Sequence, residues 1–153
     1  MSVVERFGSS AKRVKILKGF VEYRRALRAV GVIKGVQWID GSFVEDKVSP
    51  GDLDVVTFFF RPRGKSTNGK FEALLKANDS LFDNYDVKEK FHCDAAWSDL
   101  SVRNPTALIL LANFWGGLFS HTKEDFRRKG FLQLPLDGVH NDDSEMLALA
   151  GKL

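Results

Sequence analysis

A Gly-Ser pair followed at a fixed distance by Asp-x-Asp is the feature that most constrains this chain. Gly41 and Ser42 end an apolar stretch, and nine residues separate Ser42 from Asp52. Asp52 and Asp54 then lead into an apolar run from 55 to 60. This order predicts a strand, a turn of the size that holds a phosphate, and a second strand that begins with paired carboxylates.

The spacing of the two carboxylates predicts a cation site. Side chains two residues apart on a strand point to the same face, so Asp52 and Asp54 should converge while Leu53 turns into the core. Two adjacent carboxylates repel each other, and a bound cation relieves that repulsion. Oxygen ligands without a nearby Cys or His favour Mg²⁺ or Mn²⁺. Because Gly41 has no Cβ and Ser42 offers a hydroxyl, the turn can hold a phosphate beside the metal, which indicates a nucleotide.

The pattern resembles the signature of the polymerase-β-like nucleotidyltransferase superfamily, in which Gly-Ser and a later Asp-x-Asp lie between apolar strands. The residues that match it are Ile39, Gly41, Ser42, Asp52, Leu53, Asp54 and Val55. Polar Asp40, directly before the glycine, departs from it. The resemblance covers roughly residues 10 to 135 and is closest to small stand-alone bacterial members, which have no appended helical domain.

The resemblance also implies a third carboxylate on a later strand of the same sheet. Asp83, Asp86 and Asp99 are close by in sequence. Asp94 is the candidate because, of these four, it alone lies in a short strand-like apolar context. In the mechanism that the resemblance implies, Asp52 and Asp54 bridge two Mg²⁺ ions. Asp94 completes the shell of one ion and takes the proton of the acceptor hydroxyl, and pyrophosphate leaves.

Several functions remain open at this point. The first is an enzyme that moves a nucleoside monophosphate from an NTP, with ATP as the first candidate, to a hydroxyl on a protein or RNA. The second is a catalytically silent, antitoxin-like module that keeps the fold and binds a partner or a nucleotide. A partner protein or a homo-oligomer is among the expected partners. The third is an unrelated α/β nucleotide-binding protein. Apart from these functions, Gly-Ser and Asp-x-Asp have a purely structural interpretation as an ordinary turn and a solvated strand edge. The resemblance implies a toxin-antitoxin or defence setting for the first two.

Composition indicates a single domain over 1–153, with a core at about 10–135 and a C-terminal tail at about 136–153. With 44% hydrophobic residues, a chain of 153 residues can bury one sizeable core. Cys93 is the only cysteine, which excludes an internal disulfide and indicates a small buried residue in a reducing compartment. Since no long apolar segment interrupts the sequence, we expect a cytoplasmic protein that does not enter a membrane.

Periodicity predicts an α/β (α+β) fold, with a mixed β-sheet and helices packed on it. Helices are expected at 11–30, at 68–81, and from Asn104-Pro105 to Trp115 or Phe119. The first is capped by Ser9 or Ser10 and stopped by Gly31, and Gly116 and Gly117 end or loosen the last. Strands are expected at 36–40, 53–60, 91–96 and 130–134, with 53–60 central and covered on both faces. The segment 85–89 is ambiguous, and 145–150 is a short terminal helix.

Basic residues form two clusters in the sequence. The first helix carries Lys12, Arg13, Lys15, Lys18, Arg24, Arg25 and Arg28, and the second cluster is Lys123, Arg127, Arg128 and Lys129. These cations are either a solvated surface or a surface that approaches an RNA backbone or an acidic protein. A member of the second cluster could instead reach the triphosphate. The sequence does not choose among these interpretations.

Overall fold

A four-stranded mixed sheet with helices on it forms the body of the protein, as the sequence predicts. The computed structural model describes residues 10–45, 47, 49–102, 104–122 and 125–137. Within these ranges the elements run α1 (Ala11–Ala29), β1 (Gly35–Asp40), β2 (Leu53–Phe59), α2 (Asn68–Ala77), a 3₁₀ turn (Asp79–Leu81), α3 (Asn84–Phe91), β3 (Cys93–Asp99), α4 (Pro105–Phe119) and β4 (Leu132–Pro135).

The order of the strands across the sheet is β3-β2-β1-β4. Strand β2 pairs in parallel with β3 and antiparallel with β1, and β4 pairs antiparallel with the other edge of β1. The parallel pair needs a crossover, which α2, the 3₁₀ turn and α3 supply. Strand β2 is interior and almost continuously buried, so the prediction of a central strand covered on both faces is confirmed.

The larger core lies between one face of the sheet and α1 to α3. Phe20, Leu27 and Val32 pack there with Ile39 and Phe59, all essentially without solvent exposure. Helix α1 is capped by Ser10, whose hydroxyl oxygen accepts from the backbone N–H of Arg13 at 3.3 Å. It ends before Gly31, whose φ of +91° is the left-handed conformation that glycine adopts readily.

The second face of the sheet is covered more thinly by α4. Val56, Phe58 and Phe119 are the buried residues of this smaller core. Helix α4 starts where predicted, with Asn104 Oδ1 accepting from Ala107 N at 3.2 Å and Pro105 in the first turn. No helix within the described ranges has both the length and the hydropathy needed to cross a membrane.

Several predicted boundaries change in the structure. The strand predicted at 91–96 is wrong at its start: Phe91 ends α3, His92 follows in the left-handed conformation (φ 58°), and β3 begins at Cys93. Phe91 belongs to the helix because its ring packs against Tyr23 of α1, with centroids 5.5 Å apart. The ambiguous segment 85–89 is helical, as part of α3.

The remaining differences are smaller. The helix predicted at 68–81 ends at Ala77, and Asn78 leads into the 3₁₀ turn. Gly116 and Gly117 do not end α4, which continues to Phe119. The second strand stops at Phe59, and the last strand is Leu132–Pro135 instead of 130–134. The predicted terminal helix at 145–150 lies outside the described residues.

Candidate functional site

Strand register places three aspartates side by side at one edge of the sheet, where the ends of β1, β2 and β3 meet. Asp40 of β1 is the Cα partner of Asp54 of β2. Asp54 is in turn the Cα partner of Asp94 of β3. Leu53 is fully buried, so its neighbours Asp52 and Asp54 are the residues that turn towards the cleft, as the strand spacing predicts.

A cavity of about 520 Å³ opens at this edge, and we call it the cleft. All five site residues predicted from the sequence line it: Gly41, Ser42, Asp52, Asp54 and Asp94. The cationic side chains Lys47, Arg127 and Lys129 also line it, together with Glu45 and Asp125. We call Asp52, Asp54 and Asp94 the acidic side of the cleft, and the three cations its basic side. The structure therefore brings together residues that are more than fifty positions apart in the sequence.

Gly41 is required where it stands, for two independent reasons. Its φ of +81° lies in the left-handed region that side chains disfavour. A Cβ at this position would lie only 1.6 Å from Asp54 Oδ2, so any side chain would displace that carboxylate. The turn thus lets the β2 carboxylate lie directly against the backbone that precedes Ser42.

The loop after the turn is fixed by a buried arginine of α1. Arg13 Nη1 donates to Phe43 O at 2.6 Å, and Nη2 donates to the carbonyl oxygens of Glu45, at 2.7 Å, and Lys47. The guanidinium also lies 5.3 Å from the centroid of the Phe43 ring. Arg13 is therefore not part of a solvated surface; it holds the loop that carries Gly41 and Ser42 into the cleft.

Asp94 is oriented by two residues of α3 that the sequence pattern did not single out. Asn84 Nδ2 donates to Asp94 Oδ1 at 3.0 Å, and Asn84 Oδ1 accepts from Ala95 N at 2.8 Å. Lys88 Nζ donates to Asp94 Oδ2 at 2.9 Å. Asn84 and Lys88 are four residues apart, the spacing that places side chains on one face of a helix. That spacing is the only signal in the sequence that could have indicated them.

Lys88 also reaches the first carboxylate of the Asp-x-Asp pair. Its Nζ lies 2.7 Å from Asp52 Oδ2, so one ammonium joins Asp52 and Asp94. Hydrogen bonds to Asp52 and then to Asp94 raise the pKa of Lys88 above its ordinary value. The lysine is therefore a cation at neutral pH and offsets part of the negative charge of the acidic side.

The residue types of the acidic side fit a divalent cation such as Mg²⁺ or Mn²⁺. Asp52, Asp54 and Asp94 offer only carboxylate oxygens, the ligands that these hard cations prefer. Within the described ranges, no three Asp, Glu, His or Cys side chains already converge as a finished metal site. The ammonium of Lys88 lies between two of the carboxylates instead.

Asp40, the departure from the superfamily pattern, takes part in a second ion pair on the basic side. Lys129 Nζ lies 3.0 Å from Asp40 Oδ1 and 2.7 Å from Glu45 Oε1. Asp40 is buried, and burial raises the pKa of its carboxyl even though Lys129 opposes that shift. Lys129 is thus held at the border of the cleft, next to the Gly41 turn.

The basic first helix is not one continuous charged surface. Arg24 is buried, and it donates from Nη1 to Gln37 Oε1 and from Nη2 to Pro135 O, both at 2.7 Å. Gln37 Nε2 donates in turn to Thr57 Oγ1 at 2.9 Å. The interpretation of Arg13 and Arg24 as members of a solvated or RNA-facing cluster is therefore wrong. The exposed cations of α1 are Lys12, Lys15, Lys18 and Arg25.

The second basic cluster is divided in a similar way. Arg127 and Lys129 line the cleft. Arg128 is exposed, and its backbone forms an isolated antiparallel β-bridge with that of His121. Arg127 Nε also pairs with Asp125 Oδ2 at 2.5 Å. Lys123 lies outside the described residues. Two members of the cluster thus line the same cleft as the acidic side.

The fold and the cleft define a mixed α/β domain with a cleft lined by acidic and basic side chains at the strand ends of its sheet. The chain belongs to the family of unknown function DUF6932, whose family model matches residues 1–135. That match includes every residue named in the cleft. No curated protein and no solved structure matches the chain at a significant level.

Proposed function

We propose that this protein is a metal-dependent nucleotidyltransferase that moves a nucleoside monophosphate from an NTP, with ATP as the first candidate, to a hydroxyl on a protein or RNA. The observation that carries the proposal is the register of β2 and β3, which pairs Asp54 with Asp94 beside the Gly41 turn. This arrangement supports the order of elements that the superfamily resemblance implies. It requires no further domain to assemble the acidic side.

The acidic side would hold the metal through Asp52 and Asp54, with Asp94 as the third ligand. Bound Mg²⁺ or Mn²⁺ would supply charge stabilisation and a more acidic acceptor hydroxyl. Asp94 is the residue proposed to take the proton as the hydroxyl oxygen bonds to the α-phosphorus. The bond from that phosphorus to the bridging oxygen breaks, and pyrophosphate leaves with the electron pair.

The turn and the basic side would bind the triphosphate. The Ser42 hydroxyl lies in the lining of the cleft, directly after the Gly41 turn, and can donate to a phosphate oxygen. Arg127 and Lys129 line the same cleft and can neutralise the negative charge that develops on the leaving pyrophosphate. The volume of about 520 Å³ is in the range of pockets that hold small molecules and cofactors.

The setting and partners are also part of the proposal. We place the enzyme in the cytoplasm, where NTPs are available, and in a toxin-antitoxin or defence system, as the superfamily resemblance implies. The exposed lysines of α1 suit an RNA or an acidic protein as acceptor. We include a partner protein or a second copy of the chain among the binding partners.

A second candidate function is favoured by Lys88. Its ammonium joins Asp52 and Asp94, and it offsets part of the negative charge of the acidic side without any metal. A chain that kept this arrangement permanently would be a catalytically silent module that retains the fold and binds a partner. The two candidates are distinguished by Asp54. The enzyme needs this carboxylate for transfer, whereas the silent module transfers nothing.

The proposal is tested by incubating the purified protein with radiolabelled NTPs and Mg²⁺ or Mn²⁺ in cell extract. We expect label in the α-phosphate to appear on a protein or RNA, and label in the γ-phosphate to leave with pyrophosphate. Asp54→Asn is the matched inactive variant, and each of the four bases is tried in turn. Transfer of γ-label would indicate a kinase, and no transfer by the wild type in any extract would favour the silent module.

A further inference from the structure

Lys88 lies where the charge of a metal ion would be expected. Its Nζ is 2.7 Å from Asp52 Oδ2 and 2.9 Å from Asp94 Oδ2. It therefore contacts the carboxylate directly before β2 and a carboxylate of the neighbouring strand β3. Helix α3 aims it there: the helix starts at its cap Asp83, whose Oδ1 accepts from Asp86 N, and ends at His92, directly before β3. The chain thus supplies its own cation to the acidic side of the cleft.

The ammonium can leave this position at small cost. The Lys88 side chain is 45% exposed, and its flexible stem gives the ammonium a path to water. Exposed ion pairs of this kind contribute little net free energy, because water solvates the separated charges well. A divalent ion brings twice the charge to the same carboxylates. Lys88 and a divalent ion should therefore exclude each other from the acidic side.

We propose that Lys88 is a built-in competitor for the metal of the cleft, which bridges Asp52 and Asp94 in the metal-free protein and swings out when a divalent cation binds. This inference rests on the proposed function, because it assumes that the acidic side holds such an ion. It adds a regulatory step: loading requires enough free metal, or enough metal-NTP, to displace the lysine. Any partner that draws Lys88 outwards would activate the site without touching the carboxylates.

The test is a Mn²⁺ titration of the full chain followed by electron paramagnetic resonance, without nucleotide, so that the readout is metal affinity and not activity. Lys88→Gln removes the competing charge and keeps a polar side chain of similar length. Lys90→Gln is the matched control: it makes the same charge change on the same helix, where the Lys90 ammonium lies 5.1 Å from the centroid of the Phe91 ring. Lys88→Arg keeps the charge, and Asp54→Asn reports on the metal site itself.

We expect Lys88→Gln to bind Mn²⁺ about tenfold more tightly than the wild type, since two exposed ion pairs together are of that size. Lys90→Gln and Lys88→Arg should stay within about threefold of the wild type, a difference below about 1 kcal/mol. Unchanged or weaker Mn²⁺ binding by Lys88→Gln would overturn the inference. If Asp54→Asn still lowers Mn²⁺ affinity in that case, the metal site stands and only the role of Lys88 falls. If Asp54→Asn has no effect, the proposed function loses its metal site and the inference falls with it.

Discussion

Asp54 and Asp94 are direct partners in the register of the parallel strands β2 and β3. Their positions are fixed by backbone pairing, and six further pairs of residues continue the same register along the two strands. A slip by one residue would turn one of the two carboxylates to the opposite face of the sheet. The sheet pairing itself therefore fixes Asp54 next to Asp94. Each aspartate can be substituted separately to test its own role.

Asp94→Asn should separate chemistry from binding. If Asp94 takes the proton of the acceptor, its loss should lower the transfer rate by about 100-fold or more, the usual size of a general-base effect. NTP affinity should change only a few-fold, because Asp52 and Asp54 remain. Titration calorimetry with a non-hydrolysable NTP and single-turnover transfer assays measure the two quantities. Equal losses of affinity and rate would assign Asp94 to nucleotide binding instead.

Gly41→Ala should disable the cleft through contact and not only through backbone strain. The added Cβ would meet Asp54 Oδ2 at 1.6 Å and push the carboxylate away. Gly64→Ala is the matched control, since Gly64 has a nearly equal φ of +78° but open space around the position of a Cβ. Both variants should lose about 1 kcal/mol of unfolding free energy. Only Gly41→Ala should lose Mn²⁺-dependent NTP binding. Equal NTP binding by both variants would show that the Gly41 turn has no role in holding the nucleotide.

Arg24→Ala should be among the most destabilising substitutions on α1. It would leave Gln37 Oε1 and Pro135 O without their buried donor and remove a link between the helix and the β1-β4 edge. We expect a loss of about 3 kcal/mol in the free energy of unfolding. Arg25→Ala, at an exposed position on the same helix, should change it by less than about 0.5 kcal/mol. Urea unfolding compares them, and similar losses would contradict the buried role of Arg24.

The exposed cations of α1 allow a test of RNA binding that spares the core. Lys15, Lys18 and Arg25 can be reversed to Glu together, because none of them is buried. If this surface binds RNA, the affinity of the wild type should fall log-linearly with salt. The slope of the triple variant should be shallower by about one unit for each phosphate that the three cations neutralise in the wild type. Filter binding over a salt series measures both slopes, and identical slopes would make this face an ordinary solvated surface.

Cys93 provides a probe of the parallel strand pair. It is fully buried at the start of β3, and burial raises the pKa of its thiol. We expect the folded protein to resist Ellman's reagent, even at about pH 9, where an ordinary cysteine is largely thiolate. In urea the labelling rate should follow global unfolding. Rapid labelling in native buffer would mean that the β2-β3 edge opens locally.

The strands and the aspartates can be predicted from the sequence because their signals are local. The apolar run after Asp54 is long enough to require burial on both faces, and the alternation around Leu53 places its neighbours in the cleft. The short apolar context at the start of β3 identifies Asp94, whereas Asp99 ends the same strand and pairs with Arg61 at 2.7 Å. Fold class and the lining of the cleft by the five predicted residues follow from these few patterns.

Helix α3 and the roles of its side chains cannot be predicted in the same way. The helix has only eight residues, and only Val87 and Phe91 of these are buried, so its apolar periodicity is weak. The sequence pattern consequently merges Phe91 with the strand that follows. Asn84 and Lys88 escape prediction because their partner Asp94 meets them only after the chain turns at His92.

The two buried arginines escape prediction for a related reason. In sequence, Arg13 and Arg24 stand among five other cations, and local charge patterning makes them part of a charged surface. Their burial depends on acceptors 30 and 111 residues away, in the loop after Ser42 and at the end of β4. Long-range carbonyl groups leave no mark on local charge patterning, so only the folded structure identifies these arginines as internal.

The most direct test of the account is a crystal structure grown with Mn²⁺ and a non-hydrolysable NTP, with the metal located by anomalous scattering. We predict a Mn²⁺ peak about 2.1 Å from carboxylate oxygens of Asp52 and Asp54, with phosphate oxygens beside Gly41 and Ser42. Lys88 should then point away from Asp52 and Asp94. A cleft in which Lys88 still joins those two carboxylates, with no metal or triphosphate near Asp54, would contradict the central claim.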